Sequence, residues 1–548
     1  MADPTAVETA RAEKKDFDGT PPGGSGRRTL REAGAQRKRV AVWWPLAALV
    51  LVGAALRLAT LDLQSFWYDE AFTPVHVLHA SLGATLESVV HRENTPPLWY
   101  ALIWGWSRAA GTGEVALRLP SALAGAATVA VAWGIGKELA GRRTAIATAA
   151  LVACNPLLVW YSQEARAYGL FVLLAALAMW CCLRADEDPT PGRPKPGDTR
   201  LRLASPFRPA SPFWLAAFAA SGAAVLATHY FAVFLVAPMC LWLLRRRERR
   251  RVVLPAVAAV AAVGVALVPL ALAQGGHGTQ WIGEWALASR LEAISQYYLT
   301  GYSGAPLGHG VELLVAVEIL AAMGYGLWRV LTPQESRGAL LALGLAACGV
   351  LIPVAMAAAG ADYLAPRNVV AAMIPLSAMI AVIASAQRTG RTGIAMVGLI
   401  AVTGAALSVD VDLSPRLQRG DWRGLAQAIR AEPPGAGGGS AQTEIESPST
   451  RAITTVELGA APLEYYLPPL RNLPRGSAVR VSEIDETGYA PLRPGAGEPP
   501  APGFRLVERR NVNGLILYRF RSATPRTVAE AALRSRVIAA GHPEVLVP

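Results

Sequence analysis

Between residues 40 and 408 the chain keeps returning to apolar stretches long enough, or nearly so, to cross a lipid bilayer. Hydrocarbon offers no partner to a backbone N–H or C=O, so such stretches fold as helices that satisfy their own polar groups. At roughly 20 residues per crossing, they fall at 40–60, 117–139, 143–160, 168–184, 212–228, 231–244, 252–272, 309–329, 338–358, 367–386 and 392–408, eleven in all with the sixth short. With 53% hydrophobic residues in 548 and a mean hydropathy of +0.31, the expected fold is a mainly α membrane protein, not a soluble multidomain one.

The net charge of +12 would suggest nucleic acid if it were spread over the surface. It is not. Arg27, Arg28, Arg31, Arg37, Lys38 and Arg39 precede the first apolar stretch, and residues 245–251 are all Arg except Glu248. Basic clusters beside membrane spans mark cytoplasmic loops, so no nucleic-acid partner is expected. The segment Pro97 to Ala110 is apolar but short, and its Trp99, Tyr100, Trp104 and Trp106 suit a helix lying in the membrane interface. Counted as a span it would put Arg142 and Arg143 outside. Treated as a surface helix, it leaves every strong basic cluster inside.

The chain falls into three regions. Residues 1–39 hold little that could build a core and are expected to be a disordered cytoplasmic tail. No cleavable signal peptide is visible there, so the first span is expected to act as an anchor. Residues 40–408 form the transmembrane domain, with a large first outer loop at 61–116. Residues 409–548 form a small extracytoplasmic α/β domain. It shows a strand-like run at Ile453–Val456, a short helix at Pro462–Leu467, and a hairpin pairing Phe504–Arg509 with Leu515–Phe520 around Asn513-Gly514. A Gly/Pro-rich stretch at 433–440 is a flexible loop within it. Cys154, Cys181, Cys182, Cys240 and Cys348 all sit in apolar stretches and read as core residues, not as a disulfide framework.

Polar residues gather on the outer side. Ser65-Phe66-Trp67-Tyr68-Asp69-Glu70 lies where the first span surfaces, and adjacent carboxylates at the edge of hydrocarbon point to a functional site. A simpler role for the pair is to cap the helix beginning at Ala71. On the same side lie Glu93-Asn94-Thr95-Pro96-Pro97, Tyr161-Ser162-Gln163-Glu164-Ala165-Arg166-Ala167-Tyr168, Thr228-His229-Tyr230 and Ala365-Pro366-Arg367-Asn368. A carboxylate can take a proton from an attacking hydroxyl, and arginines can grip a phosphate through two hydrogen bonds and stabilise departing charge. A sugar linked through phosphate to a lipid needs both at this depth.

These motifs, with Leu-Arg-Leu-Pro-Ser (117–121) and Gly420-Asp421-Trp422-Arg423, together resemble the GT-C glycosyltransferases over about residues 40–430. The resemblance is to the family 39-like group of protein O-mannosyltransferases and lipid A aminoarabinose transferases. It implies a GT-C type bundle, a polyprenyl-phosphate sugar donor and inversion at the anomeric carbon. Asp69 matches the catalytic carboxylate and Glu70 its companion. Glu93 matches an acidic substrate-site position, and Glu164 and Arg166 lie where relatives place polar active-site residues. Asn368 departs from the pattern, since many relatives carry Tyr after Ala-Pro-Arg; Arg367 is unaffected.

The expected protein is a multi-pass cell-membrane glycosyltransferase acting on the extracytoplasmic face. Asp69 and Glu70 are the catalytic candidates. Glu93, Glu164, Arg166, Tyr168, His229, Tyr230 and Arg367 are substrate-binding candidates, with Arg166 and Arg367 on the phosphate. The acceptor is a lipid, glycan or protein hydroxyl. No cofactor is required by the motifs; a divalent metal at His76, His79 and His91 is an option, but interfacial roles for these histidines are preferred. The alternative is a transporter or flippase of lipid-linked sugars. Transport sites favour the bilayer midplane, whereas only Glu318 falls deep in an expected span.

Overall fold

The computed structural model describes residues 43–186, 211–301, 317, 320, 323–324, 326–431 and 451–548. The expected tail 1–39, most of the Pro-rich loop 185–211, most of the eighth expected span at 309–329 (Glu318 included) and the stretch 433–440 lie outside the described residues. The chain divides into Met1–Ala48 and Leu49–Pro548, and the second unit holds nearly all of the fold.

The protein is a helical membrane protein with a small C-terminal sheet. Among the described residues six helices are long and apolar enough to cross a membrane: Glu114–Ala140, Tyr168–Asp186, Arg247–Gln274, Pro333–Ala358, Pro366–Ala384 and Gln387–Leu413. The helices Arg142–Cys154 and Pro156–Ser162 make a seventh if the pair, bent by 57°, is one broken span. Shorter apolar helices cover Trp43–Leu58, Pro212–Leu226 and Tyr230–Leu244. Each overlaps an expected stretch. Of the apolar window of Arg247–Gln274 only 6% is covered by protein, against 78% for Pro366–Ala384. The first therefore lies at the periphery of the described bundle and the second runs through its interior.

Local sequence explains the breaks. Pro156 has no N–H to continue the preceding helix, and the Asn155 side chain restarts it by accepting from Leu158 N at 3.0 Å. The freed carbonyls at the end of the Arg142–Cys154 helix are taken by Arg57, whose guanidinium donates to Val152 O at 3.0 Å and Ala153 O at 2.8 Å. Arg57 Nε reaches Ser162 Oγ at 3.2 Å. Gly125 faces this cluster without a side chain, and any Cβ there would collide with Ser162 and Arg57. The segment expected to lie in the interface is the helix Leu98–Ala110, with Trp99, Tyr100 and Ile103 buried.

The C-terminal sheet has six strands: β1 (Arg451–Val456), β2 (Arg471–Asn472), β3 (Ala478–Tyr489), β4 (Arg505–Val512), β5 (Leu515–Ala529) and β6 (Pro543–Val547). Their order is β2-β6-β1-β3-β5-β4, with β1 and β3 parallel and the other pairs antiparallel. The β4–β5 turn is Asn513-Gly514, both at positive φ (48° and 92°), as a two-residue hairpin loop demands. One face packs on the helix Trp422–Arg430 through Trp422, Leu425 and Ile429. Arg519 reaches through from β5 to bond the Ala428, Ile429 and Ala431 carbonyls at that helix's end.

The helix Glu457–Tyr466 seats the sheet on the loop 61–116. Tyr466 OH accepts from Phe66 N at 2.7 Å and also bonds Glu114. Arg423 grips Glu114 at 2.5 Å, and Trp422 N donates to Ser65 Oγ at 3.0 Å. Phe66 and Tyr465 meet edge to face at 5.1 Å.

Candidate active site

Asp69 and Glu70 sit on a one-turn helix, Tyr68–Phe72. Successive helical residues point about 100° apart, so the two carboxylates take opposite fates. Glu70 turns inward. Arg118, from the long helix Glu114–Ala140, holds it through Nε–Oε1 at 2.7 Å and Nη2–Oε2 at 2.6 Å, and Ala165 N donates to Oε1 at 2.9 Å. Arg118 also bonds the carbonyls of Leu61, Gln64 and Ser65. Burial alone would raise the Glu70 pKa, but Arg118, Arg419 and the Ala165 N–H hold it below the ordinary value.

Asp69 turns outward. Its Oδ2 accepts from Arg367 Nη1 at 2.6 Å, and 16% of its side chain is exposed, against 0% for Glu70, 4% for Glu93 and 1% for Glu164. Of these four carboxylates, Asp69 is the most exposed.

Glu93 and Arg166 form a second bidentate pair, 2.9 Å on each arm. Arg166 Nη1 also donates to Asp69 O at 3.3 Å, and Ser121 Oγ donates to Arg166 O at 2.9 Å. The short turn between the helices Pro156–Ser162 and Tyr168–Asp186 is thereby fastened to the Asp69 turn. Burial opposes the charge on Arg166, yet Glu93 keeps it firmly protonated. With both fork positions on Glu93, Arg166 is built as a brace; the phosphate role expected for it would require Glu93 to let go.

Glu164 is buried between these pairs. Arg419 Nη2 donates to its Oε2 at 3.1 Å, and Arg419 Nη1 lies 3.5 Å from Glu70 Oε2. The Arg419 guanidinium sits over Trp160 at 4.3 Å and Trp67 at 5.5 Å. Glu164 Oε1 has no hydrogen-bond partner among the described residues. Burial pushes the Glu164 pKa up to about 7, Arg419 opposing and the Glu70 and Asp69 charges adding to the rise.

The remaining candidates lie beside this network. Tyr168 packs on Tyr161 at 4.9 Å, and His229 stacks on Phe171 at 4.5 Å and 10°. His229 Nδ1 accepts from Phe231 N at 3.3 Å; burial first, then Arg367 and Arg166, push its pKa down to about 3, so it stays neutral. Tyr230 points elsewhere, its OH donating to Gln274 Oε1 at 2.7 Å. Gln274 in turn bonds Val89 O and Thr95 O, tying the 275–286 loop to the loop 61–116. His76, His79 and His91 do not converge. His76 Nε2 faces Glu464 at 3.0 Å, and no group of three or more His, Cys, Asp or Glu side chains placed to hold a metal ion occurs among the described residues.

Two residues central to this geometry, Arg118 and Arg419, have no role that sequence alone assigns. Arg118 lies inside the Leu-Arg-Leu-Pro-Ser motif, and Arg419 directly precedes Gly420-Asp421-Trp422-Arg423. An arginine in or next to such a motif, on a chain whose loops hold several carboxylates beside apolar stretches, is the signal that could have found them.

The turn carrying Glu93 and the loop carrying Glu164 and Arg166 fall within residues 94–192 or at their edge, and that segment matches the family model described as dolichyl-phosphate-mannose-protein mannosyltransferase. The resemblance is to GT-C glycosyltransferases. A comparison with curated protein sequences finds no match. Among solved structures, the chain is similar to the S. cerevisiae protein O-mannosyltransferase Pmt1-Pmt2 complex bound to the sugar donor, at 16% identity and a TM-score of 0.32, covering 42% of this chain and 33% of that one. It is similar to the Archaeoglobus fulgidus oligosaccharyltransferase, at 15% identity and a TM-score of 0.41, covering 77% of this chain and 61% of that one. It is also similar to ArnT from Cupriavidus metallidurans bound to undecaprenyl phosphate, at 13% identity and a TM-score of 0.38, covering 87% and 98%. The chain thus spans a third of the yeast chain and about three fifths of the archaeal one.

Proposed function

We propose that this protein transfers a sugar from a polyprenyl-phosphate carrier to an acceptor hydroxyl on the extracytoplasmic side of the cell membrane, with inversion at the anomeric carbon. The observation that carries the reading is the contrast between Asp69 and its neighbours. Three carboxylates are enclosed and committed to arginines, while Asp69 alone meets solvent beside a single guanidinium, that of Arg367. An accessible carboxylate on a fixed turn is the general base such a transfer needs.

In this reading Asp69 removes the proton from the acceptor hydroxyl. The acceptor oxygen then bonds the anomeric carbon from the face opposite the phosphate, and the carbon–oxygen bond to phosphate breaks with its electron pair leaving on the lipid phosphate. Arg367 shifts from Asp69 to the phosphate oxygens. That move neutralises the departing charge and frees Asp69 Oδ2 to accept from the acceptor hydroxyl. Glu70, Glu93 and Arg166 do not touch substrate; they hold the turn on which Asp69 rides. The sugar and the acceptor, whether lipid, glycan or protein, stay open in this reading.

The test is sugar transfer from polyprenyl-phosphate mannose by the purified protein in nanodiscs. Asp69→Asn keeps the shape and removes the basicity, so turnover should fall roughly 10²–10⁴-fold with melting temperature preserved. Transfer at the parental rate would remove Asp69 as base, and no transfer by the parental protein would favour the transporter reading.

A further inference from the structure

Next to Asp69 and Arg367 is an aromatic surface that the proton-transfer and bracing roles of the site leave without a task. The short helix Gln280–Glu284 lies in the loop between the helices Val268–Gln274 and Leu287–Thr300. It presents Trp281, which is 39% exposed although tryptophan is among the costliest side chains to leave in water. Trp281 and Trp285 lie nearly parallel, their ring centroids 6.3 Å apart and their planes at 28°. The Arg367 guanidinium stands 5.2 Å from the Trp281 centroid while donating to Asp69.

The shelf is fixed in place. Trp281 Nε1 donates to Gly278 O at 3.0 Å, which satisfies the indole's polar edge locally and sets its plane. The loop around it is anchored by Gln274 to the Val89 and Thr95 carbonyls, by Asn94 Nδ2 to His277 O at 3.4 Å, and by Tyr363 OH to Gly275 O at 3.3 Å. Its anchors are thus the segment that also carries Glu93 and the segment that also carries Arg367.

We propose that Trp281, backed by Trp285, is a stacking platform for a pyranose ring at the mouth of the Asp69–Arg367 site. The proposal rests on the glycosyltransferase reading and specifies how that site would grip a sugar. A pyranose chair has one face of axial C–H bonds, weakly positive, which packs on the negative face of an aromatic ring while its hydroxyls stay in water or bond nearby polar groups. A membrane anchor would also expose tryptophan, but it gains nothing from a fixed plane beside a guanidinium–carboxylate pair. The ring could belong to the donor or to a glycan acceptor; the chemistry of stacking is shared, and experiment separates them.

The first measurement needs no turnover. Saturation-transfer NMR with methyl α-D-mannopyranoside and the full chain in nanodiscs should show transfer to the ring C–H protons. The signal should persist in Trp281→Phe and in Asp69→Asn, and fall at least about fivefold in Trp281→Ala, the usual worth of one aromatic contact. Equal signals in the parent and in Trp281→Ala, or none in the parent, would overturn the platform. The second measurement is kinetic, with polyprenyl-phosphate mannose as donor and octyl α-mannoside as acceptor probe. Trp281→Ala should raise one KM about tenfold, with kcat nearly kept and with rescue by Trp281→Phe. A rise for the donor, also seen in its hydrolysis without acceptor, assigns the ring to the carrier-linked sugar; a rise for the acceptor alone assigns it to a glycan. Unchanged KM for both would mean that Trp281 is an interfacial anchor. Failure of the glycosyltransferase reading looks different: the parental protein would then transfer no sugar from polyprenyl-phosphate mannose, whatever the saturation-transfer signal does in Trp281→Ala.

Discussion

Arg118 holds Glu70 by both carboxylate oxygens, at 2.7 and 2.6 Å, in a place where neither side chain meets solvent. Removing one partner of a buried pair leaves the other charge unpaired, which costs roughly 3–5 kcal/mol. Glu70→Gln should therefore lower thermal stability substantially and lose activity mainly through lost folded protein. Asp69→Asn, one residue away, should do the reverse. Melting temperature and specific activity per folded molecule, measured side by side, separate the two. Equal melting temperatures for both variants would show that the Arg118 pair contributes little.

Glu164 predicts a pH dependence. Its folded pKa is about 7, raised from 4.5, so the folded state binds the proton more tightly than the unfolded one between those values. Stability from this group is thus fully present below about pH 4.5 and lost as pH rises toward 7. At 1.36 kcal/mol per unit the loss is on the order of 3 kcal/mol. Glu164→Gln, which cannot ionise, should gain on the parent between pH 5 and 8. A pH-independent difference in melting temperature between the two would contradict it.

Arg166 and Arg367 should behave differently. Arg166 is spent on Glu93, so Arg166→Ala and Glu93→Ala should each destabilise, and the double variant should cost much less than their sum, a coupling of 0.5–3 kcal/mol in size being usual for contacting residues. Arg367→Lys should leave stability near the parent and weaken donor binding, since an ammonium cannot hold phosphate through a planar fork. A donor KM that rises in Arg166→Ala after correction for folded fraction would return Arg166 to the phosphate.

Tyr466 links the C-terminal helix to the stretch of loop before Asp69 by accepting from Phe66 N. Tyr466→Phe leaves that buried N–H without its partner, at a cost of about 1–3 kcal/mol. Hydrogen exchange at residues 66–70 should quicken while the sheet's own exchange is unchanged. No change at 66–70 would mean that the docked helix does not secure the Asp69 turn.

Orientation can be checked with single cysteines and a membrane-impermeant thiol reagent in intact cells. Exposed positions Ser81 and Arg475 should label from outside, and exposed positions Arg143 and Glu248 should not. Labelling at Glu248 from outside would invert the proposed topology.

The sequence revealed the helical bundle because hydrocarbon leaves the backbone little choice, and the hairpin around Asn513-Gly514 because only a few residue pairs tolerate two positive φ angles in succession. Strand β3 escaped notice for a physical reason. Its Glu483, Asp485 and Glu486 are buried, so no hydrophobic alternation marks it; Arg451, Arg519 and Arg521 neutralise Glu483 and Asp485 from neighbouring strands. At the site, the carboxylates were legible as clustered charges near the membrane. Which of them stays exposed was not, because the burial of Glu70 and the exposure of Asp69 follow from arginines, Arg118 and Arg367, that lie 48 and 298 residues away along the chain.

Arg419 lies between Glu70 and Glu164 but is supplied by the segment after the last apolar helix. During synthesis the two carboxylates are therefore made, and their surrounding helices inserted, long before the cation that separates them emerges. A nascent or truncated chain ending ahead of Arg419 would keep Glu70 on Arg118 but leave Glu164 without its cation, favouring the protonated acid. Completion of this charged cluster is in this sense a closing step performed by the chain's own last quarter.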